Sequence, residues 1–321
     1  MSAARVAMRS VSSSTDRVRL ALESVALVVL LAATWVIAGV ALQGAGVAVV
    51  SAGRTGFAVL GLVAVANLTR PPSPATAPRY SGGELAALAV TGVAGYTMLS
   101  TLAIALAGPA IPSLVLALSP VVVLLLESAL ARARVHPLVL AATIVAVTGA
   151  LLYIVPRIDG AAEADVVGGI LAALGAMVSM SVYGLLFAHV NRDRAGAITA
   201  RILPVFALGS VPLLVWAVIE VGLGGMIEPV SIAVLAVLGL GIYVPAYLVQ
   251  HRIILAAGSS YVALLGLAVP PLVGIASVLL GLAAPPGAIQ IFGVALTLAG
   301  LFIVIRMRFR RVRTDAESRP N

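Results

Sequence analysis

Cysteine and lysine are absent from all 321 residues, and charged side chains make up only 10% of them. Without cysteine, disulfides and thiolate metal sites are excluded, and the redox compartment leaves no trace in the chain. Without lysine, all 20 basic residues are arginine, whose charge cannot be titrated away. Histidine occurs three times, at His136, His189 and His251, with no metal-ligand spacing. No His-Glu-x-x-His or Gly-x-Ser-x-Gly motif is present either. These absences argue against a lipid-modifying enzyme or intramembrane protease; neither cofactor nor metal is expected. A scaffold without transport activity is the other rival reading, but the short loops leave a partner little to grip.

What fills the chain is apolar: 61% hydrophobic residues and a mean hydropathy of +1.15. Soluble domains carry roughly a quarter charged residues, and such a fold has nowhere to bury this much apolar surface. Lipid offers the backbone no hydrogen bonds, so spanning segments must be helices or closed barrels. Nearly charge-free windows fall at 24–42, 47–67, 85–106, 110–130, 137–156, 166–188, 201–219, 230–250, 259–281 and 288–305. Their length is that of a transmembrane helix, not of a barrel strand. The reading is an all-α integral membrane protein with ten transmembrane helices.

Orientation follows from the arginines, which stay on the cytoplasmic side of span ends. With the N-terminus inside, cytoplasmic segments hold Arg5, Arg9, Arg17, Arg19, Arg70, Arg79, Arg132, Arg134, Arg192, Arg194, Arg201, Arg252 and the six arginines from Arg306 to Arg319. Only Arg157 falls outside and only Arg54 within a span. Both termini are therefore expected in the cytoplasm of a multi-pass cell-membrane protein, as in a bacterial inner membrane, with an uncleaved first span. The net charge of +8 reads as an orientation signal and as contact with membrane lipids, not as nucleic-acid binding.

Five spans precede residue 157 and five follow residue 165, an odd number that makes the halves enter the bilayer from opposite sides. At an offset of 150, Ile104, Gly108, Leu114 and Pro120 fall on Ile254, Gly258, Leu264 and Pro270. The resulting plan is a cytoplasmic tail (1–23), a five-helix repeat (24–156), an external linker (157–165), a second, inverted five-helix repeat (166–305) and a basic cytoplasmic tail (306–321). Gly293 and Gly300 on the last helix allow close helix contact, compatible with a homodimer.

Arg54 in the second span, Ser119-Pro120 in the fourth matched by Val269-Pro270 in the ninth, and Gly149 and Gly300 in the last helix of each half complete a pattern. It resembles the EamA-type transporters of the drug/metabolite transporter superfamily, over about residues 24 to 305. The resemblance implies export of amino acids, other metabolites or toxic compounds. Where such proteins commonly carry an acidic residue a dozen positions after each proline, this chain has Ala133 and Ala283.

Ionisable groups inside a span are costly and mark function by default. Arg54 suits a carboxylate or phosphate on a small-molecule substrate, or else it snorkels or braces helix-end carbonyls. Glu127, near the inner end of the fourth span, is the candidate for proton coupling, or else a partner of Arg132 and Arg134. Candidate substrate-binding residues also include Trp35, Tyr96, Ser100, Tyr183, Tyr243, Tyr247 and Gln250, with 243, 247 and 250 at helical spacing. Pro120 and Pro270 are expected to kink their helices mid-span.

Overall fold

The computed structural model describes residues 14–69, 80–130, 137–158, 163–192, 194 and 196–317. Twelve helical elements succeed one another: α1 (Ser14–Ala41), α2 (Val47–Leu68), α3 (Gly82–Ala107), α4 (Ala110–Leu116), α5 (Ser119–Leu130) and α6 (Pro137–Ile158), then α7 (Glu163–Val190), α8 (Ile198–Gly222), α9 (Pro229–Ala257), α10 (Ser259–Leu265), α11 (Val269–Leu279) and α12 (Ala288–Glu317). Eight described helices are long and apolar enough to cross a membrane, and two shorter apolar ones, Ala110–Leu126 and Ala288–Val304, join them. The only extended pairing among the described residues is one antiparallel bridge, Ala45 with Ile227.

The outer surface is apolar where a soluble protein would be charged. Ile144, Val218, Ile275 and Phe302 stand more than half exposed on α6, α8, α11 and α12, as a hydrocarbon solvent allows. Inside, α3 packs on α7, α1 on α9, α2 on α8 and α6 on α12. The α6–α12 contact uses the glycines that could have served a dimer. A Cβ on Gly149 would lie 2.5 Å from the Gly293 carbonyl, and one on Gly300 would lie 2.6 Å from the Ala142 carbonyl. These positions are spent on packing within the chain.

Helix ends follow their local chemistry. Ser81 caps α3 reciprocally: its Oγ accepts from Glu84 N at 3.2 Å while Glu84 Oε2 accepts from Ser81 N at 2.8 Å. Gly108 and Gly258 end α3 and α9 at φ 68° and 91°, with ψ of 172° and 158°, a backbone region open essentially to glycine alone. A short helix follows each, α4 and α10, and then an interruption at residues 117–118 and at Gly266–Ala268. Pro120 and Pro270 thus sit in the first turn of α5 and α11, not mid-helix. That site suits proline, because first-turn amides have no intrahelical acceptor to lose. The helix breaks just ahead of each ring.

Element bounds depart from the sequence reading at three connections. α1 already begins at Ser14 and α12 runs on to Glu317, so both tails carry helix, consistent with arginine's good helix propensity. The linker between the halves contracts to 159–162, flanked by Ile158 and Glu163; those four residues lie outside the described ones.

Candidate functional site

A cavity of about 110 Å³ lies where α1, α3, α4, α5, α7, α9, α10 and α11 meet. Trp35, Tyr96, Gln250 and the serines Ser113, Ser119, Ser181 and Ser259 bring its aromatic and polar lining, set among mostly aliphatic side chains. The interrupted pairs α4–α5 and α10–α11 form two of its walls, so irregular backbone at membrane depth lines a cavity, where it can be solvated. At the end away from the start of α1 the helices close together. A Cβ on Gly39 would lie 3.4 Å from the Pro109 ring and 3.5 Å from Leu282.

Behind the Tyr96 wall lies Arg54, 1% exposed. Its Nη2 donates to the Thr97 carbonyl at 2.9 Å and to Ser100 Oγ at 2.6 Å, and its guanidinium carbon stands 5.4 Å from the centre of the Tyr243 ring. No carboxylate among the described residues lies within 4 Å of it. Two π-helical segments, Val90–Gly95 in α3 and Val237–Tyr243 in α9, end at or beside the residues that surround Arg54. The extra residue in such a turn rotates everything after it, and these segments aim Thr97 and Tyr243 at the guanidinium.

From Tyr243 an aromatic column runs along α9. Tyr243 meets Tyr247 at 5.0 Å between ring centres, Tyr247 meets Phe206 at 4.5 Å, and His251 meets Phe187 at 4.4 Å. His251 Nδ1 contacts the Tyr247 carbonyl at 2.6 Å and its Nε2 contacts the Tyr183 hydroxyl at 2.5 Å.

At the end where α1 begins, Arg194 grips both Glu84 oxygens at 3.0 and 2.9 Å and stacks over Tyr80 at 4.7 Å. Tyr80 OH faces Asn191 Oδ1 and the Arg201 carbonyl, each at 3.0 Å. Burial pushes the Tyr80 phenol above its ordinary pKa, against the opposing pull of Asn191 and Arg194. Nearby, Ser24 meets Tyr261 at 3.2 Å.

Residues 21–155 match the model of the EamA-like transporter family, and that stretch is similar to its members. No curated protein matches the sequence. The fold as a whole is similar to that in a crystal structure of a protein, at a TM-score of 0.64 and 20% identity, over 91% of this chain and 98% of that one.

On this helical scaffold the residues singled out from sequence separate into two groups. Trp35, Tyr96 and Gln250 line the cavity. Arg54, Ser100, Tyr243, Tyr247 and Tyr183 form the buried layer behind it. Arg54 does not snorkel, since both its described bonds are to α3. Glu127 lies on α5, and its side chain falls outside the described residues. Sequence reading set His251 at a span end, yet it is fully buried. It continues the stripe 243, 247, 250, 251, so helical spacing alone would have found it. Ser113, Ser181 and Ser259 were also missed; single serines among apolar residues carry no signal without their neighbours.

Proposed function

We propose that the protein is a secondary transporter that exports small metabolites such as amino acids or amphipathic compounds. It works by alternating access at the cavity between two inverted five-helix repeats, spanning a cell membrane ten times with both ends in the cytoplasm. The observation that carries this is the cavity itself, whose walls come from both halves and combine aromatic faces with sparse hydroxyls and one amide. At about 110 Å³ it is below the roughly 300–1,000 Å³ of drug-sized sites, so a larger solute requires the walls to part.

Several features support the repeat. The α3–α7 contact between the halves has its counterpart in α9–α1, α4 meets α11, α5 meets α10, and α2–α8 and α6–α12 are self-matched. Both halves repeat the same sequence of irregularities: a π-segment, a glycine of positive φ, a short helix and a break before a proline. The arginines of the cytoplasmic reading, Arg194, Arg201 and Arg252, lie on elements that gather at the end where α1 begins.

The experiment is flux from proteoliposomes loaded with labelled amino acids, organic acids and amphipathic cations. Saturable counterflow of one class, lowered by Gln250→Ala, is expected. Folded protein that moves none of these classes overturns the reading. Glu127→Gln in the same vesicles tests proton coupling: a pH gradient should no longer drive flux, and undiminished driving removes Glu127 from the mechanism.

A further inference from the structure

The Arg54 surroundings are unusual for a buried ion. A guanidinium removed from water costs several kcal/mol unless it is both paired and hydrogen-bonded. Here a carbonyl, one hydroxyl and the Tyr243 ring offset part of that cost. The formal charge keeps no acidic partner within 4 Å among the described residues.

Among the buried polar side-chain atoms left without a partner, three belong to Arg54 itself or to residues next to it on α2 and α3. Ser51 Oγ, Arg54 Nε and Thr97 Oγ1 are buried and make no hydrogen bond. Ser51 and Thr97 are 0% exposed and Arg54 is 1% exposed. Ser51 stands one turn before Arg54 on α2, and Thr97 is the residue whose carbonyl already holds the guanidinium. Two hydroxyls and one N–H are three donors beside a fixed positive charge. Buried donors of this kind are rarely left unused, and their shared complement is an acceptor of negative charge.

We infer that the Arg54 layer is a binding site for one small monovalent anion, received by Arg54 Nε with the Ser51 and Thr97 hydroxyls. Two sources share that chemistry: a free halide such as chloride, or the carboxylate of the exported solute. The second source rests on the transporter reading and deepens it by naming the charge the solute carries. In that case Tyr96, which lines the cavity one residue before Thr97, is the side chain that must turn aside to let the carboxylate through. A phosphate dianion does not match, because one cation and neutral hydroxyls leave its second charge uncompensated.

The test is ligand-induced thermal stabilisation of the purified full chain, in a gluconate background, with chloride, acetate or sulfate added singly. Saturable stabilisation by chloride or acetate, weak or absent with sulfate, is expected. Hydrogen bonds to a charged group imply that Arg54→Gln weakens the response at least about tenfold. Should that variant not fold, Ser51→Ala and Thr97→Val keep the cation and are each expected to lower the affinity several-fold. Competition between acetate and chloride identifies a carboxylate seat, whereas stabilisation by chloride alone identifies a resident halide. No saturable response to either, or an undiminished response in both hydroxyl variants, overturns the site. Vesicle flux with no anion response would sink this inference and leave transport standing; an anion response without flux would do the reverse.

Discussion

The Tyr183 hydroxyl meets Nε2 of His251 at 2.5 Å, tying α7 to α9 beside the cavity. Nδ1 donates to the Tyr247 carbonyl, so Nε2 offers a lone pair and the phenol is the donor. Removing either partner strands the other in an apolar layer. Tyr183→Phe and His251→Phe are each expected to cost about 1–3 kcal/mol, while the double variant costs clearly less than their sum. Unfolding of all three in detergent measures the coupling, and strict additivity would remove the bond from the account.

Gly149 and Gly293 present backbone to backbone, with no flexible side chain between them to yield. Gly149→Leu should therefore separate α6 from α12 and lose at least about 1–3 kcal/mol, with a lower melting temperature. A neutral result would mean that the two helices are not in contact as described.

Gly108 and Gly258 share one rare backbone state at equivalent points of the two halves. Alanine at either should cost about 1–3 kcal/mol. If the matched joints serve movement, flux should fall more than stability does, which parallel melting and vesicle assays would reveal. Alanine variants that melt like the parent would show that the loops can adopt another course.

A chain with no cysteine is already the background for single-cysteine labelling. Gln43→Cys and Met226→Cys are exposed positions on connections that touch each other, since Glu228 N donates to the Gly44 carbonyl at 2.8 Å. Both should react with an impermeant maleimide from the outside of intact cells, whereas Ser81→Cys should not. Opposite accessibility of Gln43 and Met226 would break the proposed ten-span threading.

The helices were legible because charge-free windows of this length leave helix as the way to satisfy a spanning backbone, and they record most bounds to within a few residues, the charged outer ends of α1 and α12 excepted. The three residues 243, 247 and 250 were legible for a related reason: on a helix, spacing is position. The division of labour between cavity wall and buried layer was not. It depends on the π-segments, whose extra residue rotates the facing by about 100°, roughly a quarter of a turn, and glycines mark them too faintly to read. The breaks before Pro120 and Pro270 were hidden likewise, since a proline announces a missing donor but not whether the helix bends at it or restarts.

Near the closed end, Val49 N donates to Glu220 Oε2 at 2.9 Å, beside the bridge between Ala45 and Ile227. A carboxylate from α8 thereby sits on the positive pole of α2, and the connection from α1 to α2 is laced to that from α8 to α9. On the transporter reading, α1, α2, α8 and α9 are expected to move together at this end, as one lever arm.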